Sequence, residues 1–435
     1  MMSKKGSQGI QMHHRALHLH TVKQQQRERN RLPVTPNPHC TPPRRCNQTL
    51  LYHRLPMETL ITIERALEIV RKTPVGRGSE TIPLTEAHSR ILSEDLVSKV
   101  DDPPFDNSAM DGWAVRFRDK IRKEIGTIAA GDTPTKIGAG EAIRIMTGAP
   151  IPEGADAIVM VEHGIDGVAH QNYIRRKGEN LTKGEVALSA GHLMTPPAIS
   201  LAATMGYSTL PVRRKLRVAV ISTGNELIPP GNELTKGQIY ESNSFGLCAL
   251  LEKIGCTPIL HDVVEDSMDG LRSTLNSISD VDVILTSGGV SMGEFDYVRK
   301  LMEKEGTIHF WKIAMRPGGP PLFGDWNGTP LFGLPGNPVS SQLVFTMIVA
   351  PWLAPEIPLA HKVRVRLKDP VKGAAKKICM RRIRISSNQD ELVATTHTHQ
   401  GSSNIHSMVT HNGITLLPPD TNAEPGDVID ALWLI

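Results

Sequence analysis

A chain of 435 residues with 39% hydrophobic and 22% charged residues is too long for one core and suits a globular protein of about two to four domains. Its net charge of +4 hides a split: residues 1–56 hold 3 Lys and 7 Arg against the single acid Glu28, which leaves 39 basic and 44 acidic residues for the remainder. A mildly acidic body argues against nucleic-acid binding, and the apolar run 343–350 stops at Pro351, well short of the roughly 20 residues a bilayer needs.

Residues 1–56 combine His13, His14, His18 and His20 with a glutamine run and several prolines, and they lack an apolar period. That composition predicts a disordered basic extension. Its histidines suit a metal and its arginine-rich, acid-poor character suits a transit peptide, but the simplest reading is that Met57 is the real start and the extension is dispensable. Five cysteines, Cys40, Cys46, Cys248, Cys256 and Cys379, show no CxxC spacing and support neither a disulfide framework nor a zinc site, which points to a reducing, cytoplasmic compartment.

From Met57, the spacing of Leu60, Ile63, Leu67 and Val70 predicts an amphipathic helix with Thr62 as an imperfect cap. Residues 105–182 alternate short β-rich runs (112–116, 125–129, 142–146, 157–161) with Gly and Pro turns and read as a small inserted β domain. The flanks, 57–104 and 183–213, read as one linking domain of helix and strand. Residues 214–355 change to apolar runs at 216–221, 281–285 and 308–313 separated by helical stretches, the rhythm of an α/β domain with a mostly parallel sheet. Beyond Pro355 and Pro358, residues 361–435 read as a C-terminal β-barrel-like domain. Within it, the alternation of Val363, Val365 and Leu367 with Arg364, Arg366 and Lys368 is either an anion-binding face or a solvated strand face.

Four stretches carry candidate chemistry. Asp106 and Asp111 flank a Ser/Gly turn and can be aimed together at a cation or a reacting group, although Asp, Asn, Ser and Gly are also the ordinary turn formers. The loop 146–156, which contains Thr147, joins two strands. After the first α/β strand comes 222–227, then Glu241, Ser242 and Asn243 at the start of a helix that Gly255 ends, with Ser242 or Asn243 as its cap. The strongest stretch is 286–294, where paired glycines and hydroxyls after a strand leave bare N–H groups suited to phosphate, beyond the carboxyl ends of a sheet. Its partner is 333–340, where Asn337 and Pro338 start a long helix to about residue 352. Lys312 and Arg316 at a strand end between these loops can neutralise a polyphosphate or phosphoester. The substrate-binding set is therefore Ser287, Gly288, Gly289, Ser291, Arg316, Pro335, Gly336, Asn337, Pro338 and Ser340.

Taken together, DNSAMDG (106–112), RIMTGAPIPEGADAIVM (144–160), STGNEL (222–227), GQIYESN (237–243), SGGVSMGEFD (287–296), FWKIAMRPG (310–318) and GLPGNPVS (333–340) occur in an order that resembles the MoeA and gephyrin E-domain family of molybdenum insertases, from about Met57 to the C-terminus. The resemblance implies four domains and a tight homodimer whose site lies between the α/β domain of one subunit and the small β domain of the other. It implies a molybdopterin molybdotransferase: Mg2+-dependent hydrolysis of adenylylated molybdopterin, release of AMP, and transfer of molybdate to the dithiolene. The implied partners are a molybdopterin adenylyltransferase and molybdoenzyme maturation proteins, with neither nucleic acid nor membrane. Carried over by position, catalytic roles fall on Asp111, Thr147, Glu179, Asp266 and Lys312, and metal-holding roles on Asp111, Glu179, Glu241 and Asp266. The chain departs from the pattern at Asn180 and Asn225, where acids are usual, at Glu241, where a shorter acid is usual, at Arg316, where lysine is usual, and at Gly319, where some relatives carry lysine. A molybdopterin adenylyltransferase would share the 287–296 and 333–340 loops but leave DNSAMDG unexplained. A scaffold or inactive binding module is the other rival, and the retained Asp111, Glu179 and Asp266 weigh against it.

A chain that begins at Met57 is expected to fold and turn over like the full chain, with a lower isoelectric point, because residues 1–56 lack the apolar surface that offsets the entropy of ordering. Comparing melting temperature and turnover of the two forms checks this; lost activity refutes it.

Overall fold

In the strand Arg217–Ser222, Val218 and Val220 face one buried cluster with Leu247, Leu251 and Phe345, while Ala219 and Ile221 face another with Leu271, Leu275 and Leu301. Side chains alternate across a strand, so a sheet with apolar residues at successive positions must be covered on both faces. The computed structural model, which describes residues 57–294 and 296–435, shows that covering. The expectations for residues 1–56 lie outside the described residues.

The α/β sheet has seven strands in the order Glu58–Ile61, Thr307–Ile313, Leu322–Trp326, Thr329–Leu334, Val283–Ser287, Arg217–Ser222 and Thr257–Leu260. All neighbours pair in parallel except at Leu322–Trp326, which is antiparallel to both of its neighbours. The expected mostly parallel sheet is therefore present, with one strand reversed by a tight hairpin. Asn327 and Gly328 turn it with φ of 51° and 87°. Asn-Gly between apolar runs is the short-range signal for such a turn, and the βαβ rhythm alone misses it.

Two further differences concern the start of the described chain. Residues 58–61 are a strand rather than part of the expected helix, and the helix is Ile63–Arg71, with Thr62 Oγ accepting the N–H of Arg65 at 3.2 Å. Both elements join the α/β domain: the strand extends its sheet, and Ile63, Ala66 and Val70 pack into its core. The grouping of all of 57–104 with 183–213 is thus corrected, since only the later part of that stretch pairs with 183–213. There, Ser79–Pro83 pairs with Thr209–Arg213 and Leu96–Val97 with Val186–Leu188, beside the helix Pro196–Thr204 and over a separate core of Leu92, Met194, Met205 and Leu210.

Between these paired halves lies the small domain, a five-stranded sheet in the order Lys123–Ile128, Glu141–Ile145, Gly112–Val115, Ala157–Met160 and Ala169–His170. After the α/β domain, five strands close a barrel: Ala360–Leu367, Glu391–Thr396, Arg382–Asn388, Gly413–Thr415 and Val428–Leu434. On its first strand, Lys362 pairs with Asp430 at 2.8 Å and Arg366 with Glu391 at 2.8 Å, while Arg364 and Lys368 are exposed without a salt bridge among the described residues, so the alternating cations form a solvated face that is matched by acids only in part. Among the described residues no helix is long and apolar enough to cross a membrane.

Phe310, Phe323 and Phe332, fully buried on three adjacent strands, stack with ring centroids 5.6 to 6.0 Å apart, and Trp352 closes on Phe323 edge-on at 5.1 Å. Removing the central ring leaves a cavity that packed neighbours cannot fill. Phe323→Ala is expected to lower unfolding stability by about 3–5 kcal/mol in urea titrations, whereas Phe245→Ala, on a half-exposed ring, should shift it by less than about 1 kcal/mol.

Candidate functional site

Parallel pairing sets Ser222 beside Ser287 and Ser287 beside Leu334, so three neighbouring strands end at one level of the sheet. The loops that leave those ends, beginning at Thr223, Gly288 and Pro335, line a cleft of about 630 Å3. Ligands of open α/β sheets bind at such carboxyl ends. The glycines are there for close approach. Gly288 has φ +97°, and a Cβ on it would lie 2.8 Å from the Thr223 carbonyl oxygen; Gly289 has φ +67°, and its Cβ would lie 2.9 Å from Val298.

The cleft walls are tied together from behind. Asn243 Nδ2 donates to Ser287 Oγ at 2.9 Å and to the Gly336 carbonyl at 2.6 Å, joining two of the loops. Glu241, only 3% exposed, accepts from Ser222 Oγ at 2.8 Å, from the Ser244 N–H at 2.8 Å and from Ser244 Oγ at 2.5 Å. Its carboxylate thus closes the first turn of the helix Asn243–Lys253 onto the end of strand Arg217–Ser222, a task that the capping side chain of Ser242 does not perform. Those three donors fix Glu241 in the wall of the cleft.

Of the sequence-derived binding set, Ser287, Gly288, Gly289, Ser291, Pro335, Gly336, Asn337 and Pro338 line the cleft. Ser340 does not: it is 4% exposed, one turn inside the helix that Pro338 opens. That helix runs Pro338–Val344, widens through a π turn at Phe345–Val349 and ends at Leu353, close to the expected residue 352. The glycine-rich stretch after Ser287 runs through residues 288–296 before the helix Tyr297–Lys304 begins.

Lys312 has a left-handed backbone, φ +71°, held by its N–H to the Pro321 carbonyl at 2.9 Å. Its ammonium lies 2.9 Å from Met292 Sδ and 3.9 Å from the centroid of Trp311, whose Nε1 donates to the Val290 carbonyl at 2.9 Å. Lys312 is thereby packed against the glycine-rich loop, and it has no acidic partner among the described residues. Arg316 is exposed and likewise unpaired, outside the lining of the cleft. Asp266 lines the cleft and is half-buried. Burial raises its carboxyl above the usual carboxylate range, the Asn225 N–H opposes this, and Glu226 and Asp296 add to the rise. Asn225 Oδ1 accepts the N–H of Asp266 at 3.0 Å, so the side-chain amide at 225 orients this acid.

The small β domain assembles its own cluster. Asp111 Oδ1 accepts the N–H of Thr147 at 2.6 Å and its Oγ–H at 2.9 Å, and those two bonds hold the carboxyl below its ordinary range. Glu179 accepts the N–H of Arg176 at 2.6 Å in the next loop. Asp106 takes the Lys177 N–H at 2.8 Å and the Arg176 guanidinium at 2.6 Å, so it fastens that loop to its own turn. None of Asp111, Thr147 and Glu179 lines the cleft. The structure therefore gathers the predicted residues into two places in one chain, and among the described residues no three His, Cys, Asp or Glu converge on a metal position.

Sequence reasoning offered Asn243 only as a helix cap, not as a bridge between loops, and it passed over Arg382. Arg382 is fully buried in the barrel domain, donates to Ser407 Oγ at 2.9 Å and to the Gly401 carbonyl at 2.8 Å, and leaves Nη1 without a partner. It holds the 401–407 loop, from which Ser403 and Ile405 line the cleft and the Ser402 carbonyl accepts the Val339 N–H at 3.1 Å. An arginine inside an alternating strand pattern was the available signal.

The chain matches three family profiles in succession: "MoeA N-terminal region (domain I and II)" over 61–206, "Probable molybdopterin binding domain" over 219–355, and "MoeA C-terminal region (domain IV)" over 364–434. It is similar to the molybdopterin molybdenumtransferase of Bacillus subtilis, 34% identical with 87% of this chain and 95% of that protein covered. The enzyme of that name from Haemophilus influenzae is 39% identical over 68% of this chain and 77% of its own length. Among solved structures, a molybdopterin biosynthesis MoeA protein from Pyrococcus horikoshii superposes with a TM-score of 0.73 at 31% identity, covering 86% of this chain and 99% of that one.

A carboxyl held low by folding contributes stability above its ordinary pKa of 3.8, and that contribution is lost as pH falls through the lowered value. Asp111→Asn should therefore melt below the unaltered protein at pH 7, with the gap closing as pH drops below about 4. Thermal unfolding of both across pH 3 to 7, on a scale of roughly one unit steps, checks this; a gap that does not change with pH would mean that the Asp111–Thr147 bonds contribute no charge-dependent stability.

Proposed function

The chain belongs to the MoeA family of molybdenum cofactor biosynthesis, and on that premise we propose that it hydrolyses adenylylated molybdopterin, releases AMP and passes molybdate to the dithiolene. The observation that carries this reading is the convergence of three loops from adjacent strand ends, two of them Gly- or Pro-rich, beside cations that the protein leaves unpaired. Backbone N–H groups of 289–291 and 336–337 receive phosphate oxygens, and Lys312 leaves Met292 to neutralise them. Such a step needs positioning, charge neutralisation and a water rather than a covalent nucleophile.

The acids divide between subunits in this reading. Because Asp111, Thr147 and Glu179 lie away from the cleft of their own chain, they serve the cleft of a second copy, and a homodimer is required for turnover. The cleft suits Mg2+: Asp266, crowded by Glu226 and Asp296, carries negative charge that its own surroundings do not compensate. Mg2+ is commonly held by one or two carboxylates together with substrate phosphates, so the absence of a three-ligand cluster among the described residues does not conflict with it. Asp266 would hold it, with Asp111 and Glu179 completing the set; when bound, the ion supplies Lewis-acid neutralisation of phosphate charge. Asp111, ionised at neutral pH and oriented by Thr147, aligns the attacking water and accepts its proton as the phosphoanhydride opens. Molybdate, an oxyanion, calls for N–H donors and cations instead of thiolates. The free thiols Cys248, Cys256 and Cys379 suit work in the cytoplasm, alongside an adenylyltransferase that supplies the substrate and molybdoenzyme maturation proteins that take the product.

Incubating the protein with adenylylated molybdopterin, Mg2+ and molybdate is expected to release AMP, with ATP consumption pointing instead to an adenylyltransferase and neither product to a scaffold. Asp111→Asn should lower turnover by roughly 10²-fold with little change in nucleotide affinity, and Asp106→Asn should be milder because Asp106 fastens loops. Lys312→Ala should weaken adenylylated molybdopterin more than molybdopterin, measured by direct binding. Normal AMP release by Asp111→Asn would remove Asp111 from the chemistry.

A further inference from the structure

We propose that a second pocket, between the helix end at Arg71, the strand end at Arg213 and the helix end at Leu353, is a binding site for hydrogen phosphate; it shares no lining residue with the cleft. The pocket encloses about 480 Å3 and is lined by Arg71, Arg77, Arg213 and Glu356 beside a wall of prolines and Trp352. Its frame is fixed. Arg71 ends the helix Ile63–Arg71, and the Thr73 carbonyl just after it accepts the Trp352 Nε1–H at 3.0 Å. Arg213 pairs with Ser79 in the strand ladder, and the Arg214 N–H donates to the Gly78 carbonyl at 2.7 Å. The segment 73–79, which carries Arg77, is therefore tied at both ends.

Three cations face one acid in this pocket. Arg213 forms an ion pair with Glu356 Oε1, but Glu356 Oε2 is buried and has no hydrogen-bond partner. Arg77 is half-buried, and the one hydrogen bond of its guanidinium among the described residues runs from Nη2 to the Leu353 carbonyl. Neither Arg77 nor the exposed Arg71 has a salt bridge among the described residues. Burial first, and Arg213 after it, draw Arg77 below the ordinary arginine range, while Cys256, Glu356 and Asp282 oppose the fall. A guanidinium so placed gains from an anion, and its planar fork of donors matches an oxyanion. Three arginines against one carboxylate leave two positive charges, which a dianion cancels.

The orphaned Glu356 oxygen decides which dianion fits. A buried acceptor without a donor is costly, so a ligand that brings an O–H is favoured and one that brings only lone pairs is repelled. The last torsion of a glutamate side chain is soft, which lets the carboxylate turn that oxygen towards the pocket. At neutral pH hydrogen phosphate keeps an O–H, whereas sulfate and molybdate keep none and a phosphomonoester loses its last proton at a pKa of about 6. Phosphate therefore donates to Glu356 Oε2 and accepts from Arg77 and Arg71.

The test titrates sodium phosphate and, separately, sodium sulfate into the full-length protein by calorimetry, at neutral pH and matched ionic strength. One phosphate per chain is expected to bind about tenfold more tightly than sulfate, the effect of one charge-assisted hydrogen bond that sulfate cannot make. Arg77→Gln should weaken phosphate by about tenfold. Arg71→Gln, at an exposed side chain with no protein partner to lose, should weaken it by about threefold without moving the melting temperature. Glu356→Gln puts an amide N–H where only lone pairs were, so sulfate affinity should rise by about tenfold, a gain that a merely structural carboxylate would not produce. Lys312→Ala, in the cleft, should leave this phosphate affinity as it is. Absence of saturable phosphate binding, equal affinity for phosphate and sulfate, or phosphate binding that Lys312→Ala abolishes while Arg77→Gln and Arg71→Gln leave it intact overturns the proposal.

Discussion

Three parallel strands that end level with one another, at Ser222, Ser287 and Leu334, are the constraint on which the rest of the site depends. In a parallel sheet each strand must be reached by a crossover, so consecutive carboxyl ends open loops on the same edge, and those loops meet without any of them being long. The Gly288–Gly289 turn, the Pro335–Asn337 turn and the Thr223–Glu226 turn share a cleft for that reason. The backbone N–H groups they present are fixed by the sheet behind them, which makes the site rigid before a ligand arrives.

That rigidity is reinforced by buried polar bonds in place of further apolar packing. Glu241 takes three hydrogen bonds at the junction of a strand end and a helix start, and Asn243 bridges two loops with one amide. A buried carboxylate is costly unless satisfied, and once satisfied it specifies one geometry, since shifting the helix by a residue would strand the charge. The Asn225–Asp266 pairing works in the same way one loop further on, and the amide there spares Asp266 another negative neighbour.

Charge is distributed to opposite effect in the two halves of the chemistry. Around the cleft and its approach, Lys312 and Arg316 lack acidic partners among the described residues, while in the small domain Asp106 is matched by Arg176 and Asp111 by neutral donors of Thr147. Unmatched cations make a place for anions, and an ionised carboxylate supported by hydrogen bonds stays ready to orient water at neutral pH.

Much of this protein was legible along the chain: the α/β sheet, the closed C-terminal β domain, the family, and ten candidate residues of which eight line the cleft. Those were legible because period-2 strands, Gly-Gly turns and a Pro at a helix start are local signals that backbone sterics enforce wherever they occur. Tertiary structure alone decided the remainder. Whether 58–61 is helix or strand was settled by pairing with Thr307–Ile313, some 250 residues on. The buried roles of Glu241 and Ser340, and the burial of Arg382 in a barrel wall, depend on what packs above them. So does the separation of Asp111 from the cleft, because distance between loops of different domains follows from how the sheets stack and leaves no trace in the spacing of residues along the chain.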